Sequence, residues 1–228
     1  MKNTFDGILF DNDGVLVDSE IIYVSVECEL LAEIGLTYDH KTYLTRFVGL
    51  SMPDYYRELA VDYRKYVGGD FPTDFAEKLS ERAWLRMEAE LTALPNSKEL
   101  VDKFSGPIAV ASSMPLTAIY RKLALVGLKD VFGSHVYSAE QVEQGKPAPD
   151  LFLFAAQQLG LNPERCLVIE DSVNGVRAGV AAGMTVFGFI GGGHANTELG
   201  TRLRNAGAVQ VFKSHADIAQ KIGTKAEY

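Results

Sequence analysis

The chain has 228 residues, 47% of them hydrophobic, and a formal net charge of −8. That length allows one large domain or a core carrying an insert, and the acidic balance argues against broad nucleic-acid binding, which needs a positive face. No run approaches the roughly 18 apolar residues of a membrane span. The first residues lack the charged and apolar regions of a signal peptide, and the C-terminus carries no lipidation motif, so a cytoplasmic location is expected. Two cysteines, Cys28 and Cys166, form no Cys-x-x-Cys pair, and the four histidines are scattered. This reads as free thiols in a reducing compartment and argues against a zinc site.

In chain order, the first element is an apolar run, Gly7 to Asp11, that stops at Asp11-Asn12-Asp13-Gly14. It reads as a buried strand ending in a tight turn. Ligands in open α/β sheets sit beyond the carboxyl ends of strands, so this run aims two acids at that crevice. One carboxylate can attack an electrophile, its neighbour can handle protons, and the pair can hold a hard cation. An ordinary polar turn has the same spelling. A calcium loop does not fit, because the twelfth position counted from Asp11 is Ile22 and not glutamate.

Residues 19-90 show no strand pattern. Ile22, Val26, Leu30 and Ile34 recur at helical spacing, Phe75, Leu79 and Trp84 mark another amphipathic segment, and Gly68-Gly69 with Pro72 break the pattern between them. Trp84 reads as core packing. An all-helical insert, 19-90, is therefore expected between core segments 1-18 and 91-228.

Strand-like runs follow at Ile108 to Ser112, Val136 to Ser138, Leu167 to Glu170 and Thr185 to Ile190, with Val209 to Phe212 as a candidate edge strand. Helical patterns alternate with them: Thr117 to Val126, Asp150 to Leu159 and Val173 to Ala182, each followed by a glycine that marks its end. Such alternation predicts an α/β fold with a doubly wound parallel sheet.

Three further strand ends carry polar groups. The second strand ends Ser112-Ser113, where a hydroxyl and free backbone N–H groups suit a phosphate oxygen or cap the next helix. After the third strand comes Lys146, whose backbone is restricted by Pro147. The fourth ends Glu170-Asp171-Ser172, two adjacent acids whose repulsion a cation relieves, or a cap for the following helix. Together these positions can converge on one crevice. An aspartate nucleophile must approach an anionic phosphate, and like charges about 4 Å apart repel by about 4 kcal/mol at an effective dielectric of 20. A divalent cation and an ammonium group overcome that barrier, so the constellation reads as metal-assisted phosphoryl transfer.

Across nearly the whole chain, these motifs, Phe10 to Glu20, Ser112, Lys146 and Glu170-Asp171-Ser172-x-x-Gly175, resemble the haloacid dehalogenase-like (HAD) hydrolase superfamily. The branch resembled holds β-phosphoglucomutase and small sugar-phosphate phosphatases. The resemblance implies a Rossmannoid core with a helical cap formed by 19-90. It implies Asp11 as the nucleophile that forms an aspartyl-phosphate, and Asp13 as the acid and then the base. It implies Mg2+ held by the Asp11 and Asp171 carboxylates and the Asp13 backbone carbonyl, with Glu170 acting mainly through a metal-bound water. Ser112 and Lys146 would hold phosphoryl oxygens, with Asn12, Gly14 and Ser113 lining the pocket. Arg46, in Arg46-Phe47-Val48-Gly49-Leu50-Ser51, stands where the family's cap has its specificity loop, suited to a carboxylate or second phosphate or simply solvated. The expected activity is a magnesium-dependent phosphatase acting on a small phosphorylated metabolite, a sugar phosphate or sugar-acid phosphate. A phosphomutase is the alternative, disfavoured because Tyr23 stands where that pattern has histidine. The chain is expected to be a monomer, since no apolar heptad is present.

Overall fold

The computed structural model describes residues 5–47, 50, 52–193, 195 and 198–223. Contacts divide the chain into two compact units, Met1–Asp18 with Leu91–Tyr228, and Ser19–Glu90.

The first unit is built on β1 (Gly7–Phe10). The second unit follows with α1 (Ser19–Glu33), α2 (His40–Arg46), α3 (Met52–Tyr66) and α4 (Phe75–Glu90). The chain then returns to the first unit for α5 (Ser97–Lys103), β2 (Ile108–Ser112), α6 (Leu116–Leu125), α7 (Lys129–Phe132), β3 (Val136–Ser138), α8 (Asp150–Gln158) and β4 (Cys166–Glu170). It ends with α9 (Val173–Ala181), β5 (Thr185–Phe189), α10 (Leu199–Ala206), β6 (Gln210–Phe212) and α11 (His215–Ile222).

The six strands pair in the order β3-β2-β1-β4-β5-β6, every pairing parallel. A parallel sheet with helices on both faces needs strands that are apolar on both sides. Ile8, Leu9, Phe10, Leu167, Val168 and Ile169 meet that demand, all with no exposed surface. Burying a side chain of this kind contributes about 1.5–3 kcal/mol. Successive strands step outward from β1 to β2 and β3, then jump across to β4 and step outward the other way. The reversal puts the carboxyl ends of β1 and β4 side by side, where Asp11 N–H donates to the Ile169 carbonyl at 3.0 Å. Open sheets of this kind bind ligands at such a reversal.

Past β1 the chain turns on Gly14, whose φ of 72° lies in the left-handed region that glycine adopts without strain. The turn closes with Leu16 and Val17 N–H donating to the Asn12 carbonyl. Where the first unit gives way to the insert, the two crossing segments are paired. Val17 bridges Ala93 antiparallel, and Asp18 N–H donates to the Thr92 carbonyl at 3.1 Å.

In the helical unit, α1 and α4 bury Ile22, Val26 and Leu30 together with Phe75, Leu79, Ala83 and Met87. Arg82 pairs with Glu33 and Arg86 with Glu29 across these helices. Tyr38, Tyr43, Phe47 and Tyr55 form an aromatic cluster in which Phe47 meets Tyr38 and Tyr55 edge-to-face and the remaining pairs are tilted. Trp84 is half-buried. No strand occurs between 19 and 90 among the described residues. No helix among them is long and apolar enough to cross a membrane.

Candidate active site

Asp11 follows directly on β1, and its side chain is almost wholly buried at the sheet reversal. Glu170 closes β4 and Asp171 follows it. Each of the three acids brings a carboxylate oxygen within 4.8 Å of the others, and all three are buried. Lys146 supplies the positive charge. Its Nζ donates to Asp11 Oδ1 at 2.6 Å, to Glu170 Oε1 at 2.7 Å and to the Ala111 carbonyl at 2.8 Å. An ammonium group has three donors, so each has a protein acceptor. The ring of Phe152 lies 4.9 Å from the same nitrogen and closes the apolar side.

The charges here are mutually dependent. Burial pushes the Asp11 carboxyl well above its ordinary value. Lys146 opposes that rise, and the neighbouring Glu170, Asp171 and Asp13 add to it. Burial by itself would lower the Lys146 ammonium, but Asp11 and Glu170 outweigh it and hold the group above its ordinary value. One cation thus faces a cluster of carboxylates. Such a set of hard oxygen donors fits Mg2+, which prefers carboxylate ligands. Asp11 and Asp171 stand beside each other as candidate carboxylate ligands. Among the described residues no donor reaches Asp11 Oδ2, whereas Glu170 has both oxygens engaged: Oε1 by Lys146, and Oε2 by the Ser172 N–H at 2.8 Å and Oγ at 2.9 Å.

Ser172 is also the N-cap of α9, accepting from Gly175 N–H at 3.0 Å. The capping alternative for this motif therefore belongs to Ser172, and Asp171 stays in the acidic cluster. Ser112 ends β2 buried, and its Oγ accepts from the Met114 N–H at 3.2 Å. Ser113 is exposed, and the N-cap of α6 is Pro115, not either serine. Asn12 is fully buried. Its Nδ2 donates to Asp13 Oδ2 at 3.1 Å, and its Oδ1 has no partner among the described residues.

Arg46 lies in the helical unit as the last residue of α2. Its guanidinium binds Asp62 at 2.5 Å and Glu58 at 2.9 Å, and Tyr38 Oη donates to the same Asp62 at 2.7 Å. Grip on a substrate carboxylate by Arg46 requires exchange of one of these partners. Val48, Gly49 and Ser51 of the segment Arg46 to Ser51 lie outside the described residues.

Lys122 is the residue that sequence reasoning missed. It sits in α6 with no exposed surface, and its Nζ is paired with Asp13 Oδ1. The available signal was its position: Ile119, Lys122 and Leu123 share the buried face of α6, so a lysine stands where the helical pattern calls for an apolar residue. The cysteines take no part. Burial pushes both the Cys28 and Cys166 thiols up to about 11, which leaves them poor nucleophiles at neutral pH.

Known proteins are similar to this chain in sequence and fold. A curated relative from Escherichia coli (strain K12), 6-phosphogluconate phosphatase, is 27% identical over 190 residues, covering 83% of this chain and 84% of its own. Hexitol phosphatase B from the same strain is 32% identical over 182 residues, 77% of this chain and 79% of its own. A HAD family hydrolase from Deinococcus radiodurans R1, crystallised with bound phosphate and sodium, superposes with a TM-score of 0.84 at 37% identity, covering 97% of this chain and 98% of that one. The family model described as haloacid dehalogenase-like hydrolase matches residues 5–183, which span β1, the two aspartates that follow it, Lys146 and the acids at the end of β4. With a match over most of its length and these strand ends gathered, the chain belongs to the haloacid dehalogenase-like hydrolases.

Proposed function

We propose that this protein is a magnesium-dependent phosphatase acting on a small phosphorylated metabolite, a sugar phosphate or sugar-acid phosphate, through an aspartyl-phosphate intermediate. The observation that carries the reading is the buried triad of Asp11, Glu170 and Asp171 with Lys146 bridging two of its members. The relatives named above are phosphatases of 6-phosphogluconate and of hexitol phosphates, and the structural relative holds phosphate. Both support the substrate class.

In this reading Asp11 Oδ2 attacks phosphorus and forms the acyl-phosphate bond as the bond to the leaving oxygen breaks. Asp13 gives a proton to that oxygen. It then takes one from the water that attacks the same phosphorus, and inorganic phosphate leaves with Asp11 restored. Lys146, by releasing one of its three protein acceptors, and Ser112 hold the phosphoryl oxygens, with Asn12, Gly14 and Ser113 around them. The carboxylates of Asp11 and Asp171 and the Asp13 backbone carbonyl would hold Mg2+, with Glu170 behind them. When bound, the cation supplies the positive charge that lets two anions meet. The helical unit Ser19–Glu90 is the cap of this proposal, the part that selects the substrate.

The test is release of phosphate from a panel of sugar phosphates and sugar-acid phosphates, with magnesium or with chelator. Monoester hydrolysis is among the slowest uncatalysed reactions, so loss of either component should be plain. Turnover is expected to need magnesium and to vanish in Asp11→Asn. Full activity in chelator or in that variant defeats the reading, as does conversion of a sugar phosphate to its isomer with no phosphate released.

A further inference from the structure

Lys122 has no part in the chemistry just described, yet its placement is expensive. Its side chain is fully buried in the last turn of α6, between positions that carry Ile119 and Leu123. Transfer of an ammonium ion from water into such surroundings costs several kcal/mol, and an apolar residue there would pack without that penalty. The charge meets Asp13 Oδ1. The other oxygen of that carboxylate, Oδ2, accepts from Asn12 Nδ2 at 3.1 Å. Asp13 is therefore gripped from both sides, by its sequence neighbour on the turn after β1 and by a lysine that reaches it across 109 residues of chain.

We propose that Lys122 is a positioning residue for Asp13, fixing the direction in which that carboxylate faces the leaving oxygen. The inference rests on the phosphatase reading and on the proton-transfer role given there to Asp13. Proton transfer by a side chain contributes about 10²–10⁴-fold, and only when the group lies within hydrogen-bond reach of the reacting oxygen. An aspartate at the exit of a strand has rotational freedom about two side-chain bonds. Two donors at opposite oxygens remove it. The phosphoryl group, by contrast, is held by Lys146 and Ser112, to which the proposal gives no dependence on Lys122.

This separation makes the role measurable through the leaving group. A p-nitrophenolate departs with little help from a proton, whereas phenolate needs it. The experiment compares kcat/KM for p-nitrophenyl phosphate and phenyl phosphate in wild type, Lys122→Met, Asp13→Ala and the double variant, with magnesium present throughout. Lys122→Met is expected to lose about tenfold more on phenyl phosphate than on p-nitrophenyl phosphate, a part of the general-acid contribution. In the Asp13→Ala background it is expected to change neither rate by more than about twofold, because residues that act through one another are non-additive. Equal losses on both esters, an unchanged rate in Lys122→Met, or a further loss in the double variant overturns the inference. If Lys122→Met does not fold, Lys122→Arg keeps the charge, displaces the donors and is read by the same ratio. Wild type inactive on both esters and on the sugar phosphate panel would defeat the phosphatase reading and this inference together. Active wild type with an unaltered leaving-group ratio in the variant removes this inference alone.

Discussion

Gly175 and the carboxylate of Glu170 occupy adjoining space: a Cβ added at Gly175 would overlap the Glu170 carboxyl group. Glu170 folds back over the first turn of α9, where its Oε2 takes the N–H and hydroxyl of Ser172. Only a hydrogen atom at residue 175 leaves room for that fold-back. The glycine is thus required by the neighbouring acid and not by its own backbone conformation.

Substitution Gly175→Ala is expected to push Glu170 off Lys146. Overpacking of this kind costs about 1–3 kcal/mol, which a denaturant midpoint measures. Phosphatase activity is expected to fall at least tenfold, because the displaced carboxylate no longer anchors the ammonium group. Activity equal to wild type would show that the Glu170–Lys146 contact is dispensable.

Lys146→Met leaves Asp11 and Glu170 buried without their shared cation. Removing one partner of a buried ion pair costs about 3–5 kcal/mol, and kcat/KM is expected to drop by about 100-fold or more, the scale seen when one oxyanion donor is lost. The remaining carboxylates repel one another more strongly, so magnesium is expected to raise the melting temperature of the variant by more than it raises that of wild type. A thermal scan with and without the cation checks this, and an equal shift in both proteins contradicts it.

Glu27 gives a pH signature in the helical unit. Burial pushes its carboxyl up to about 7, with the Tyr43 hydroxyl opposing and Glu20 adding to the rise. Tyr43 Oη donates to Glu27 Oε2 at 2.6 Å, and Tyr43 and Tyr55 hydroxyls lie 3.1 Å apart. An acid that binds its proton more tightly when folded makes stability fall as pH rises from its unfolded value, about 4.3, to its folded one. Stability of this unit is therefore expected to decline between about pH 4.5 and pH 7. Glu27→Gln should flatten that decline and be the more stable protein at pH 8. Trp84, the one tryptophan of the chain, lies in α4 of the same unit, so urea titrations followed by its fluorescence read the effect.

His215 works in the opposite sense in the other unit. It is fully buried at the start of α11, with Nδ1 3.0 Å from the Pro95 carbonyl and its ring 4.4 Å from that of Phe189. Burial lowers its pKa to about 4 against the pull of backbone carbonyls. A histidine that resists protonation when folded favours unfolding as pH falls from about 6.5 towards 4. Hydrogen exchange of α11 amides is expected to accelerate across that window in wild type and to vary less in His215→Asn. Identical pH profiles in the two proteins would rule out the linkage.

The sheet is legible in the sequence because parallel strands buried on both faces appear as unbroken apolar runs, as in Ile8-Leu9-Phe10 and Leu167-Val168-Ile169. Strand ends are the natural place for chemistry in such a sheet, so Asp11, Ser112, Lys146 and Asp171 can be picked out by position. Helix α3 escapes notice because its buried face carries Tyr55, Leu59 and Asp62, one of them an acid held by Arg46. Helix α10 escapes because it is short and mostly polar. Lys122 is hidden for a different reason. A lysine within a helix is ordinarily solvated, and only the approach of α6 to the turn after β1 reveals the carboxylate that it meets. The partners of Arg46 and the surroundings of Glu27 likewise depend on helix packing that no local pattern encodes.

The paired crossing at Val17–Ala93 and Asp18–Thr92 carries an architectural consequence. A core that holds both stumps of an interruption together can accept guests of varied length or topology, since its own stitching stays intact whatever is spliced between them. Under the proposed function, a tight loop joining the two stumps is expected to keep the acids and Lys146 on an intact core while removing the helices to which that proposal assigns substrate choice.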